Sequence, residues 1–171
     1  GDVLMRGYGQ LEVYKMYDDV SMPKMATAGS ACFDFESYLI EGQELKAKDC
    51  LFKQNIVKDG KVIIAPLGRM LIPTGLIADI PQNHSLRIHP RSGLSFKMGL
   101  ALANQEGIID DDYKEEIFIA IINLSGEHQT ITNHMRIAQG ELVAHQMYRI
   151  IETSNKPART TDRSGGFGST G

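Results

Sequence analysis

Arg69-Met70-Leu71-Ile72-Pro73-Thr74-Gly75-Leu76-Ile77-Ala78-Asp79-Ile80 reads as two short strands joined by a turn. Proline presets φ and removes a backbone donor, and glycine tolerates the dihedrals a chain reversal needs, so Pro73–Thr74–Gly75 supplies the turn. The flanking runs, Arg69–Pro73 and Leu76–Ile80, have strand length and are too short for stable helices. The same texture extends in both directions: Leu11–Val13, Val62–Ala65, Leu86–His89, Glu116–Leu124, Gln129–Thr132 and Leu142–Ile150 also read as short strands. In Ile117–Phe118–Ile119–Ala120–Ile121–Ile122 the β-branched residues fall mostly at odd positions, which puts them on one face of a pleated strand. Helical periodicity with a cap at each end is weak everywhere, and one brief helix is expected at Gly93–Met98. Many short strands separated by Gly/Pro turns predict an all-β domain: a sandwich, jelly roll or barrel.

The chain has 171 residues, the size of one domain with a core that needs no disulfides. Hydrophobic content of 42% and charged content of 23% match a globular protein. A net charge of −3 argues against direct nucleic-acid binding, which calls for a basic surplus, but allows a local basic pocket for a phosphorylated small molecule. No apolar run approaches the roughly 18 residues of a membrane span, and no secretory leader is expected. The two cysteines, Cys32 and Cys50, lack metal-site spacing and read as free thiols of a reducing compartment. Residues 41–61 are the most polar internal stretch and read as a surface excursion. The composition divides the chain into a β domain over 1–152 and a Gly-rich arm over 153–171 that cannot pack a core.

Five segments carry residues suited to chemistry. In the arm, Gly165–Gly166–Phe167–Gly168–Ser169–Thr170–Gly171 follows Arg163. Glycines let backbone N–H groups approach oxyanions, hydroxyls add donors, and arginine supplies bidentate charged bonds. Read alone this is also a solvated tail, but Phe167 needs something planar to stack on. Pro90–Arg91–Ser92–Gly93–Leu94 ends a strand in a turn suited to anion contact, although a surface arginine at a turn is the plainer reading. Gly107–Ile108–Ile109–Asp110–Asp111–Asp112–Tyr113 packs three carboxylates together; as an extended segment it would place Asp110 and Asp112 on one face. It is either an acidic turn or a source of one base beside a phosphate. Arg136–Ile137–Ala138–Gln139–Gly140 precedes the last strong strand. In Ala28–Gly29–Ser30–Ala31–Cys32–Phe33–Asp34–Phe35, Asp34 interrupts an apolar run and serves either a buried hydrogen-bond network or a metal.

Taken in order, these segments resemble the five motifs of the trimeric dUTPase family, over roughly residues 10 to 171. The resemblance implies a distorted jelly-roll barrel or sandwich closing as a homotrimer, with shared active sites and a C-terminal arm exchanged between subunits. It implies hydrolysis of dUTP to dUMP and pyrophosphate with Mg²⁺, in the cytoplasm, or in the host cytoplasm if the protein is viral. Asp110 matches the general base that orients water toward the α-phosphorus; an aspartate is ionised at neutral pH, as a base must be. Asp34 matches a carboxylate that holds Mg²⁺ through water, the ion resting mainly on the substrate phosphates. Arg91, Ser92, Gly93, Arg136 and Gln139 match phosphate-side residues. Asn104, Gly107, Ile108 and Ile109 match the uracil-reading hairpin, and Tyr113 the ring beneath deoxyribose. Phe167 would stack on uracil, while Arg163, Gly168, Ser169 and Thr170 clasp the outer phosphates.

Three features depart from the pattern. The first motif usually carries Gly-Leu-Asp-Leu, where this chain has Cys32–Phe33–Asp34–Phe35. Only Ser164 separates Arg163 from the paired glycines, where two residues are usual. Residues 41–61 exceed the usual connection. Two competing readings are a dCTP deaminase-like enzyme of the same fold and a non-catalytic nucleotide-sensing or protein-binding module. The first would need a catalytic glutamate and a different third motif; the second would bind dUTP without releasing pyrophosphate.

Overall fold

The computed structural model describes residues 9–168, which form twelve strands and one short helix. In chain order these are β1 (Glu12–Lys15), β2 (Phe33–Glu36), β3 (Ala47–Lys48), β4 (Lys61–Ile64), β5 (Arg69–Pro73), β6 (Leu76–Asp79) and β7 (His84–His89). Then follow α1 (Ser92–Met98), β8 (Leu100–Leu102), β9 (Gly107–Ile109), β10 (Phe118–Asn123), β11 (Gln129–Thr132) and β12 (Arg136–Ala144). They assemble into two four-stranded sheets, β3-β5-β10-β8 and β2-β12-β7-β9, and two ribbons, β1-β6 and β11-β4. Every pairing is antiparallel. The result is a jelly-roll-like packing of sheets with no closed barrel among the described residues.

Alternation in the sequence becomes alternation in burial. Along β10, Ile119, Ile121 and Asn123 point inward and are essentially inaccessible, while Phe118 faces out. They meet Ile64, Met70, Ile72, Leu76, Ile117 and Ile131 in one core, where each such side chain contributes about 1.5–3 kcal/mol of transfer free energy. Asn123 is the polar exception, and it is satisfied. Its amide donates to the carbonyls of Ile64 and Glu127, and its Oδ1 accepts from Ser125 N and Oγ.

The bulky first motif has a specific accommodation. Gly140 of β12 pairs with Phe33 of β2, and a Cβ there would lie 2.7 Å from ring atoms of both Phe33 and Phe35. The two aromatic rings, edge to face at 5.1 Å, fill the space a side chain at 140 would need.

Within residues 41–61, Leu45 and Val57 are buried, and Leu45 N and Val57 N donate to the carbonyls of Asn55 and Gln43. Asp59 and Gly60, both at positive φ, turn the chain between Lys58 and Lys61, the dihedrals a two-residue hairpin favours. The polar stretch is thus a small hairpin-like ladder pinned by two core residues.

Two expectations are corrected. The last strand spans Arg136–Ala144 instead of Leu142–Ile150, because its partner β7 begins at His84, which pairs with Ala144. Residues 110–112 lie in a turn beyond β9, closed by Tyr113 N donating to Asp110 O, so strand alternation does not sort the three carboxylates.

Candidate active site

β2, β12 and β7 lie side by side, and their register sets Asp34, Gln139 and His89 in one row. The chain leaving β7 at Pro90 delivers Arg91 to the same place. Arg91 Nε donates to Asp34 Oδ1 at 3.0 Å, and Arg91 Nη1 to the carbonyl of Arg136 at 3.4 Å. Arg136 Nη1 lies 3.6 Å from Asp34 Oδ2. Gln139 Nε2 donates to Pro90 O at 2.9 Å and fixes the turn from which Arg91 departs. Asp34 therefore orients two guanidiniums at once, and fixed guanidiniums are what recognition of phosphate oxygens requires. Ser92 and Gly93 open α1, and the space a Gly93 Cβ would occupy is empty. A cavity of about 350 Å³ opens beside Asp34 and Arg136, walled by Glu36, His134 and the loop from Val20 to Ala26. That loop and His134, 3.5 Å from Glu36, carry no motif and were not legible as site residues.

A second grouping lies elsewhere. β8 pairs with β10 and β9 with β7, so the segment between them bridges the two large sheets. Asn104, Gly107, Ile108 and Ile109 line a cleft of about 140 Å³ there with Phe118. An adjoining cleft of about 220 Å³ is lined by Asp110, Tyr113 and Ile117. Tyr113 donates its hydroxyl to Glu116 O at 2.6 Å, which holds the ring against the cleft; burial, with Glu115 and Glu116 adding to it, pushes the phenol pKa up.

These groupings are at opposite ends of β7. Continuing the pairing of Leu86 with Ile109 places Asp110 beside Ser85, whereas Arg91 lies past His89. At about 3.3 Å per residue, at least roughly 13 Å of strand separates them. The arm forms a third part. Arg163 Nε donates to Gly165 O at 3.4 Å, and Phe167 is fully exposed. Ser169 and Thr170 lie outside the described residues. A groove of about 680 Å³ between Leu45, Met70 and Ala120 holds none of the motif residues.

One cluster escaped the sequence reading. Cys32, His89 and Glu141 converge on the outer face of the β2-β12-β7 sheet, beside Asp34 and Gln139. Burial raises the Cys32 thiol pKa, and the carboxylates of Glu141 and Asp34 add to the rise. Outward strand parity at 139 and 141 was the available signal.

Two arginines beside one aspartate, adjoining clefts lined by Asn104 and Asp110, and a glycine-rich arm, on a jelly-roll-like frame, are the features of a β protein suited to a phosphorylated nucleotide. The chain belongs to the dUTPase family, whose model matches residues 55–171. It is 38% identical over 152 residues to the deoxyuridine 5'-triphosphate nucleotidohydrolase of Brucella melitensis, covering 89% of this chain and 85% of that protein. Among solved structures it is similar to a variant dUTPase of Staphylococcus bacteriophage 80alpha with dUpNHpp, with a TM-score of 0.75 and 19% identity over 96% of this chain and 99% of that one. It is also similar to a variant dUTPase of Staphylococcus aureus phage phi11 that coordinates a structural Mg(II) ion. There the TM-score is 0.68 and the identity 18%, over 88% of this chain and all of that one.

Proposed function

We propose that this dUTPase-family chain hydrolyses dUTP to dUMP and pyrophosphate at sites each assembled from three copies of the chain. The separation of Asp110 from Arg91 along β7 carries the shared-site reading. A base must reach a water at the α-phosphorus while the arginines reach the phosphates a few ångströms away, and one chain cannot do both at that distance. A second copy docking its phosphate side against the cleft of the first brings the two together. The arm, which carries the fully exposed Phe167, supplies the third part.

In that assembly Asn104 and the backbone of Gly107, Ile108 and Ile109 bind the uracil edge, and Tyr113 lies beneath deoxyribose. Asp110 takes a proton from the attacking water. Arg91 and Arg136, oriented by Asp34, neutralise charge on the phosphates, with Ser92, Gly93 and Gln139 positioning them. Phe167 stacks over the base when the arm closes, while Arg163, Gly168, Ser169 and Thr170 meet the outer phosphates and exclude water. One Asp34 oxygen accepts from Arg91 and the other lies 3.6 Å from Arg136, yet the carboxylate is partly exposed and keeps lone pairs. That suits it to hold waters of a phosphate-bound Mg²⁺ and not to ligate the ion directly. When bound, Mg²⁺ supplies charge neutralisation on the triphosphate. Among the described residues no helix is long and apolar enough to cross a membrane, and the proposed place of action is the cytoplasm, where free dUTP occurs.

Pyrophosphate release from dUTP, dCTP, dTTP and UTP with Mg²⁺, in the parent chain and in Asp110→Asn, tests this. Release from dUTP alone, lost in the variant while dUTP still binds, is the expected result. Ammonia release from dCTP would instead point to the deaminase chemistry, and tight dUTP binding without turnover to a sensor.

A further inference from the structure

We propose that Cys32, His89 and Glu141 form a binding site for a divalent transition metal, Zn²⁺ being the ion their chemistry matches, separate from the Mg²⁺ that accompanies the nucleotide. Each side chain comes from a different strand line of one sheet. Glu141 lies on central β12; continuing the pairing of Gly140 with Phe33 puts Cys32 directly opposite it, and the pairing of Gln139 with His89 puts the histidine on the diagonal. One sulfur, one ring nitrogen and one carboxylate oxygen thereby fall within 4.8 Å of one another.

The spacing is close to that of a coordination sphere. His89 Nε2 and Glu141 Oε2 are 3.0 Å apart. Tetrahedral Zn²⁺ with bonds of about 2.0–2.1 Å to nitrogen and oxygen holds two such ligands about 3.3 Å apart, and its thiolate, at about 2.3 Å, only slightly farther. A few tenths of an ångström opens the His–Glu pair, and a rotation of the partly exposed Cys32 closes the third side. The backbone carrying His89 and Glu141 lies within paired strands, and Cys32 immediately precedes β2, so the set is largely preorganised.

The donor set also selects the ion. A thiolate and an imidazole disfavour Mg²⁺ and Ca²⁺, which take hard oxygen ligands, and suit Zn²⁺ and its neighbours. Three protein ligands leave a fourth position open to water or to an anion. Asp34 and Gln139 lie two residues away on the same face, so a bound ion would clamp the three strand lines that position the arginines. The family's first motif usually carries glycine where Cys32 stands, so the sulfur ligand is one of this chain's departures.

Cobalt substitution in the chelator-treated full chain is the test. One Co²⁺ per chain is expected, with intense tetrahedral visible bands and a near-ultraviolet thiolate-to-cobalt band that Cys32→Ser abolishes. Zn²⁺ affinity, read by competition with a chromophoric chelator under excess Mg²⁺, is expected to fall at least about 100-fold in Cys32→Ser, His89→Ala and Glu141→Gln, since loss of even a supporting outer ligand costs up to that much. Circular dichroism verifies folding, and if Cys32→Ser does not fold, the partly exposed Glu141→Gln decides. Weak octahedral bands alone, or unchanged Zn²⁺ stoichiometry and affinity in the folded variants, would overturn the assignment.

Discussion

Asp34 makes two charged contacts, and its replacement separates placement from charge. Asparagine keeps the shape but leaves Arg91 and Arg136 without the carboxylate between them. Misplacing a phosphate-binding group by about 1 Å costs on the order of a hundredfold, so Asp34→Asn is expected to lower kcat/KM for dUTP by about that factor with the fold intact. Asp110→Asn should lower kcat by about 10²–10⁴-fold, the range of a lost general base, while equilibrium dUTP binding survives. Gly140 presents a packing question instead. Gly140→Ala would press a methyl into Phe33 and Phe35, and overpacking of this kind costs about 1–3 kcal/mol. Urea unfolding should show that loss, and Phe33→Leu in the same chain should recover part of it. A strictly additive double variant would show that the rings and the glycine are not coupled.

At the scale of elements, polar side chains tie the loops to the strands. Asn123 links the end of β10 to β4 and to the turn before β11 through bonds to Ile64, Glu127 and Ser125. Asn123→Ala should destabilise by about 1–3 kcal/mol for each buried group left unpaired, seen as a lower urea midpoint. Near the N-terminus, Tyr38 stacks on Tyr17 at 4.8 Å and donates its hydroxyl to Asp19. That bond pushes the Tyr38 pKa up to about 12 and lowers that of Asp19. A phenol whose pKa is raised by folding contributes stability below its unfolded value, about 10, and loses it as pH rises toward 12. Absorbance titration should therefore show a tyrosine titrating near 12 that returns toward 10 in Asp19→Asn, while any late titration of Tyr113 is unaffected. An unchanged titration in the variant would mean that Asp19 is not the cause.

In the proposed assembly one chain holds only part of each site. Beyond Ala144 the apolar residues continue, and Met147, Tyr148, Ile150 and Ile151 are exposed, Ile150 at 91%. An exposed apolar segment of this kind marks an interaction surface, and in the proposed assembly its partner is another copy of the chain. Trimers formed from equal amounts of Asp110→Asn and Arg91→Ala, each inactive alone, should recover about one quarter of the parent activity, because independent subunits supply the two residues with probability about one half each. No recovery in mixed trimers would mean that base and arginine act within one chain. Removing residues 153–171 should leave the β domain folded and abolish pyrophosphate release.

The strand frame was legible because burial follows side-chain parity, a local property: the alternation over 117–122 and the turn at 73–75 gave strands within a residue or two of those observed. Strands whose pattern is polar or brief, such as β2 and β9, exist because a neighbour pairs with them, and β12 stops where β7 does. The motifs named the candidate site residues, but spacing along the chain carries no information on distances between strands. Register decided that Asp34 lies between two arginines, that Asp110 and Arg91 stand at opposite ends of β7, and that Cys32, His89 and Glu141 meet. Register is set by hydrogen bonds between segments as far apart as Phe33 and Gly140, so only the folded chain could decide these contacts.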